Sequence, residues 1–200
     1  MQQTASAAPS RQERRVRRTR AMILAGFIQL MQQKPVKDIS VRELADLVDI
    51  NRSTFYLHYT DIYDLLEQTE QRLLKQFTDA VDEKFSANLG PNEFFQFLDC
   101  TFTILAENAP LCAALMGPNG DIAFLRTIEK LMHEKGMQAL RAFTPRELPE
   151  QDLQYALSYF LAGCMGLVNA WLKNGCPEPP THMAEIAMLL LREGISGMHI

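Results

Sequence analysis

The chain is most informative at first in what it lacks. Its four cysteines, Cys100, Cys112, Cys164 and Cys176, form no CxxC pair and fall mostly inside apolar helical patterns. That pattern favours buried free thiols in a reducing compartment. There is no HExxH, no ExxH di-metal pairing and no glycine loop that cradles phosphate, and His58, His133, His182 and His199 stand apart from one another. Neither a metal nor a cofactor nor catalysis is expected. Nothing approaches the roughly 18 uninterrupted apolar residues of a membrane span, and the opening MQQTASAAPSRQERR lacks the apolar centre of a secretory signal. The expectation is a soluble, cytoplasmic chain without a membrane partner. Strand signals are sparse, and no internal repeat is found.

What is present is enough apolar material for a real core, 47% of 200 residues, and an uneven distribution of charge. Residues 1–60 hold ten Lys or Arg against five Asp or Glu, whereas residues 61–200 hold ten against nineteen. The front of an acidic chain is therefore basic. Six arginines, Arg11, Arg14, Arg15, Arg17, Arg18 and Arg20, crowd into one decade. Such a run is either a solvated helix face or a cationic surface for phosphates.

Helix punctuation is dense, and the fold class it indicates is all-α. SRQE at Ser10–Glu13 is a capping-box pattern opening a helix toward Gln33, with Val16, Ile23, Phe27 and Leu30 on one stripe; the Lys34–Pro35 step ends it. A second box, SVRE at Ser40–Glu43, opens a short helix through Val48 with Val41, Leu44, Ala45 and Val48 inward. After the break DIN, Asn51 is the N-cap of a helix over Arg52–His58, and Asp61 starts a fourth helix with Asp64 in its first turn. That helix carries Leu65, Leu66, Leu73, Leu74, Phe77, Val81 and Phe85 as far as NLGP. Further helices are expected over about 91–108, 110–116, 120–143, 150–173 and 180–193, each ended by Pro, Gly or both. The domain reading is a tail over 1–10, a helix-turn-helix domain over 11–60, and a regulatory and dimerisation domain over 61–200.

Two short helices joined by a three-residue turn are the layout of a DNA-binding helix-turn-helix. Ala45 allows a close crossing, Leu44, Val48, Ile50 and Phe55 pack the pair, and Asp49 holds the turn position that needs a positive φ. If Phe55 points inward, then Arg52, Ser53, Tyr56 and Leu57 point largely outward, toward a major groove. Arg52 suits guanine edges and Leu57 a thymine methyl. Ser40, Thr54, Tyr56 and His58 suit phosphates, with packing on the first and fourth helices as the alternative for Tyr56 and His58. Arg14 and Arg18 would add salt-sensitive affinity beside the site.

At this point ISVRELADLVDINRSTFYLHYTDIYDLLE resembles the signature of the tetracycline-repressor (TetR) family of bacterial transcriptional regulators, over the first three helices and the start of the fourth. NRSTFYLHYTDIYDLLE is similar to a subgroup of it common in Gram-positive bacteria. Two positions depart from the pattern: many members carry Gly where this chain has Asp49, and a phosphate-binding Lys where it has Ile62. The resemblance implies a homodimer that binds a palindromic operator in double-stranded DNA, with repression more usual than activation. It also implies a C-terminal helical domain that takes a small-molecule effector.

The C-terminal half agrees with such a plan. In YALSYFLAGCMGLVNAWLKNG, the residues Leu153, Leu157, Phe160, Cys164, Leu167 and Trp171 form an apolar stripe, while Ala162, Gly163, Gly166 and Ala170 form a low ridge. Helix-interior glycines are disfavoured by about 1 kcal/mol each relative to Ala, so the ridge points to close approach of another helix. Gly175 is a C-cap, and the next helix brings Met183, Ile186, Ala187 and Leu190 inward. Gly163, Gly166, Ala170, Met183, Ile186 and Leu190 are the expected dimer interface, against the alternative of an intramolecular core. Phe102, Met132, Met137 and Tyr159 are the expected lining of an effector pocket. The C-terminal domain binding a protein coregulator in place of a metabolite is the other reading left open.

Overall fold

Ser10 begins the first helix as its spacing to Glu13 requires. In the computed structural model, which describes residues 10–84, 90–143 and 149–196, Glu13 N–H donates to Ser10 Oγ at 3.2 Å and Ser10 N–H to Glu13 Oε2 at 2.6 Å. Helix α1 (Arg11–Met31) buries Ile23, Gly26, Phe27, Leu30 and Met31. Val16, expected on the same stripe, is instead exposed, as is every residue from 11 to 18. The other helices are α2 (Val41–Leu47), α3 (Arg52–Tyr56), α4 (Ile62–Lys84), α5 (Pro91–Glu107), α6 (Ala109–Leu115), α7 (Ile122–Phe143), α8 (Glu150–Lys173) and α9 (Pro180–Ser196). Among the described residues there is no strand, and a single 3-10 turn lies at Val36–Asp38.

The chain divides into two units, Met1–Gln68 and Thr69–Ile200. The expected boundary at 60/61 thus moves along α4, whose first turns bury Ile62, Leu65 and Leu66 and so belong with the helices before them. Beyond the division α4 buries Leu73, Phe77 and Val81; Leu74 is only half-buried, and Phe85 lies outside the described residues.

In the first unit, α2 ends at a left-handed residue, Asp49 with φ 53°. The Ile50 N–H donates to the Ala45 carbonyl at 3.0 Å, the six-to-one closure of a Schellman turn. The position is strained for any residue with a Cβ. Asp49→Gly is therefore expected to raise stability by up to about 1 kcal/mol and Asp49→Val to lower it. The shift in urea midpoint between the two variants checks this. The capping box at Ser40 forms only by half. Ser40 Oγ accepts from Glu43 N–H at 3.2 Å, but the Glu43 carboxylate turns to Lys34 Nζ, 2.6 Å away, and ties the end of α1 to α2. Gly26 allows the close approach of those helices, since a Cβ there would overlap the Val48 side chain. Leu44 and Ala45 are buried, while Val41 and Val48 are half-buried.

In the second unit α5 packs along α9 and α7 along α8. Phe102 meets Trp171 edge to face at 5.6 Å, and the Trp171 indole N–H donates to the Glu178 carbonyl at 3.1 Å. Gly136 brings α7 against Leu157 of α8. Gly175, with φ 80°, closes α8 as expected, through the Cys176 N–H to the Trp171 carbonyl at 2.9 Å. The four cysteines are free, but only Cys112 is fully buried. Burial pushes the thiols of Cys112 and Cys164 up to about 12, so both stay protonated.

The apolar surface of α8 is mostly uncovered. By length and composition α8 could cross a membrane, with a mean hydropathy of 1.3 over its most apolar window, of which 17% is buried. Residues 155–172 carry no charge, so the expectation that no such run exists is corrected here. Ala162, Gly163, Gly166 and Ala170 are all exposed, and a Cβ added at Gly163 or Gly166 would meet nothing within 4 Å.

Candidate nucleic-acid interface

The recognition segment is built by three caps. Asn51 Oδ1 accepts from the Ser53 N–H at 3.1 Å and starts α3. Asp61 Oδ1 accepts from the Asp64 N–H at 2.8 Å, and Asp64 Oδ2 from the Thr60 N–H at 2.7 Å, which fixes the entry to α4. Hydrogen bonds from Gln68 and Thr60 hold the Asp64 carboxyl below its ordinary range. Between these caps α3 runs only from Arg52 to Tyr56, shorter than the expected Arg52–His58. Leu57 is its C-cap, still in helical conformation, and His58 N–H donates back to the Phe55 carbonyl at 2.9 Å.

Phe55 is 0% exposed and touches Tyr56 and Tyr59, each with ring centroids 5.6 Å away. Its burial turns the rest of the segment outward. Arg52 and Ser53 are exposed, Tyr56 is 56% exposed, and Leu57 is 80% exposed. Thr54 and His58 are half-buried. Ser40 is exposed, and its hydroxyl hydrogen is free to donate, because the oxygen's bond to Glu43 is an accepted one. Ile62, where the family pattern has a phosphate-binding lysine, is 5% exposed and packs in the core.

Arg14 and Arg18 are exposed on α1. Glu13, the one acid within the arginine run, is occupied at the Ser10 cap, whose backbone and hydroxyl bonds lower its pKa. No described acidic residue forms an ion pair with the α1 arginines. Among the described residues, no group of three His, Cys, Asp or Glu could hold a metal.

Two expected groupings change. Tyr159 stands outward on α8, 81% exposed, and does not join Phe102, which is buried against Trp171; Met132 and Met137 are half-buried on α7. In α9, Met183 is 4% exposed and Leu190 is 62% exposed. Met183 thus belongs to the protomer's own core, and Leu190, expected inward, faces out with Leu189. Ile186 is half-buried. Residues that spacing alone did not single out are Gly26 and Gly136, which set helix crossings, and Tyr59, a buried platform beside Arg20. Gly26 follows Ile23 by three positions on the buried stripe, the one signal that marks it as packed.

A family profile from the TetR group, described as a transcriptional regulator C-terminal region, matches residues 92–193. A search of curated proteins finds no match. The fold is shared with solved structures at low identity. A TetR-like transcriptional regulator from Rhodococcus sp. RHA1 is 15% identical at a TM-score of 0.68, covering 95% of this chain and all of that one. The fatty acid degradation regulator FadR from Bacillus halodurans is 17% identical at 0.63, covering 87% of this chain and 98% of that one. A TetR-family regulator from Streptomyces coelicolor is 20% identical at 0.56, covering 87% and 77% respectively.

Proposed function

Because the chain belongs to the TetR family of transcriptional regulators, we propose that it is a cytoplasmic repressor that binds a palindromic operator as a homodimer and leaves it when a small molecule binds the second unit. The families it matches are regulators, not enzymes. The observation that carries the reading is Phe55 at 0% exposed with Arg52, Ser53, Tyr56 and Leu57 turned to solvent. Arg52 reads a base edge, Leu57 touches a thymine methyl, and Ser40, Thr54, Tyr56 and His58 hold phosphates.

The uncovered ridge of α8, with Gly163, Gly166 and Ala170, and the outward Leu190 of α9 support a dimer seam. A face with glycines at its centre lets a second helix approach closely, as in a four-helix interface. In the operator-bound state the two copies of α3 would stand about 34 to 36 Å apart, one turn of duplex. An effector held beside Met132 and Met137 of α7 would favour a different spacing, and α4, unbroken from Ile62 to Lys84, is the covalent link between the units.

Selection of bound sequences from a random duplex pool tests the reading. The expected product is an inverted repeat with half-sites one helical turn apart, and a pool that never enriches would overturn it. A second measurement concerns Arg14 and Arg18. Changing both to Ala is expected to leave the selected sequence intact and to reduce the slope of log K against log salt by about 0.9 for each phosphate that is no longer neutralised.

A further inference from the structure

Within the arginine run the structure sets Arg20 apart. Its guanidinium carbon lies 5.9 Å from the centroid of the Tyr59 ring, inside the range of a cation–π contact. Tyr59 is 8% exposed and packs on Phe55, so the platform is firm. His58 lies against the same ring, 6.3 Å between centroids. Arg20 of α1 and His58 after α3 are thus two nitrogen donors gathered at one corner by one buried aromatic.

No acid from the described residues neutralises this corner. Among the charged groups on the surrounding elements, Arg52 of α3 is turned to solvent, while Asp61 and Asp64 are engaged with backbone N–H groups at the head of α4. Two things disfavour a proton on His58: burial first, then the charge of Arg20. An anion placed beside both groups would offset that cost of charging His58.

We propose that Arg20 and His58, both set against Tyr59, form a phosphate-binding pair at the end of α3, and that DNA binding there places a proton on His58. The proposal rests on the reading of the first unit as a DNA-binding one. A backbone phosphate between the two side chains replaces repulsion by attraction on both sides and is itself a charge-assisted acceptor for each. The bound state then holds the proton more tightly than the free state. Linkage gives the sign: affinity climbs as pH falls between the bound and free titration ranges of His58, and is flat above both.

The test uses the full chain and the duplex it selects, with binding followed by fluorescence anisotropy at fixed salt from about pH 8 to about pH 5. The natural sequence is expected to tighten with falling pH, by up to about tenfold per unit for each His58 that takes a proton. His58→Gln should flatten that profile. Arg20→Gln should weaken binding at every pH, reduce the salt slope by about 0.9 per subunit, move the pH response to higher pH and keep the same selected bases. Arg20→Lys, which keeps the charge, should retain the salt slope. Melting curves distinguish a variant that no longer folds from one that folds and binds less well. A His58→Gln profile that still follows the natural one, or an Arg20→Gln salt slope equal to it, overturns the pair. Failure of the natural protein to select any duplex brings down the DNA-binding reading, and the pair with it.

Discussion

Replacing Gly163 and Gly166 together by leucine is expected to turn a dimer into monomers while leaving the protomer folded. The two glycines lie in the interior of α8, exposed, and a Cβ added at either meets nothing within 4 Å among the described residues, so the start of a side chain there has open space. In a solitary helix the exchange would even help, since glycine is disfavoured there by about 0.8 to 1 kcal/mol relative to good helix formers. If instead a second helix lies on the ridge, two isobutyl groups hold it off and the close packing is lost. The two cases differ in sign. A monomeric protein with unchanged or raised melting temperature and at least about a hundredfold weaker operator binding follows from a seam, because simultaneous engagement of two half-sites multiplies affinity by about a hundredfold or more. Sedimentation that still gives a dimer, with operator binding intact, would remove the ridge from the interface.

The same helix explains why this side of the molecule was harder to read than the other. Helix starts carry their own chemistry: Ser10, Asn51 and Asp61 each accept from a first-turn N–H, and the sequence spacing that announces them is local. Asp49 and Gly175 were likewise readable, because a turn that needs a positive φ restricts the residue that sits in it. The face of α8 has no such marker, since residues 155–172 carry no charge to tell which side is core. In α9 the exposed His182, Glu185, Arg192 and Glu193 mark the outer side, but its apolar residues continue onto that side at Leu189 and Leu190. In α9 the buried set is Met183, Ala184, Ala187 and Leu191, whereas the expected inward set was Met183, Ile186, Ala187 and Leu190. The two sets share Met183 and Ala187, and the real face is rotated from the expected one by roughly 65° at about 100° per residue. Arg20 on Tyr59 was out of reach for a different reason: the contact joins α1 to the segment after α3, and no sequence spacing encodes a meeting between them. The recognition segment lay between these extremes. Its outward residues followed from one inward phenylalanine, but its length did not, because a five-residue helix is ended by the turn into α4 and not by a signal of its own.

Arg52→Ala is expected to change which operators are recognised more than how much DNA is bound. Arg52 is the first residue of α3, exposed, with no ion pair to a described acid, and its planar fork matches the O6 and N7 acceptors of guanine. A bidentate contact of that kind discriminates against other bases by about 1 to 3 kcal/mol, a factor of about ten to a hundred or more. Truncation should therefore make one base position in each half-site indifferent while the remaining positions keep their preference. The salt slope should fall little, because a base edge releases no condensed counterion, in contrast to the removal of Arg14 and Arg18. Stability should not move, since the side chain covers no core residue and the α3 cap is supplied by Asn51. Selection repeated with the variant reads this directly. Enrichment of the same base at every position would show that Arg52 touches phosphate or solvent, and the assignment of groove reading would pass to Tyr56 and Leu57.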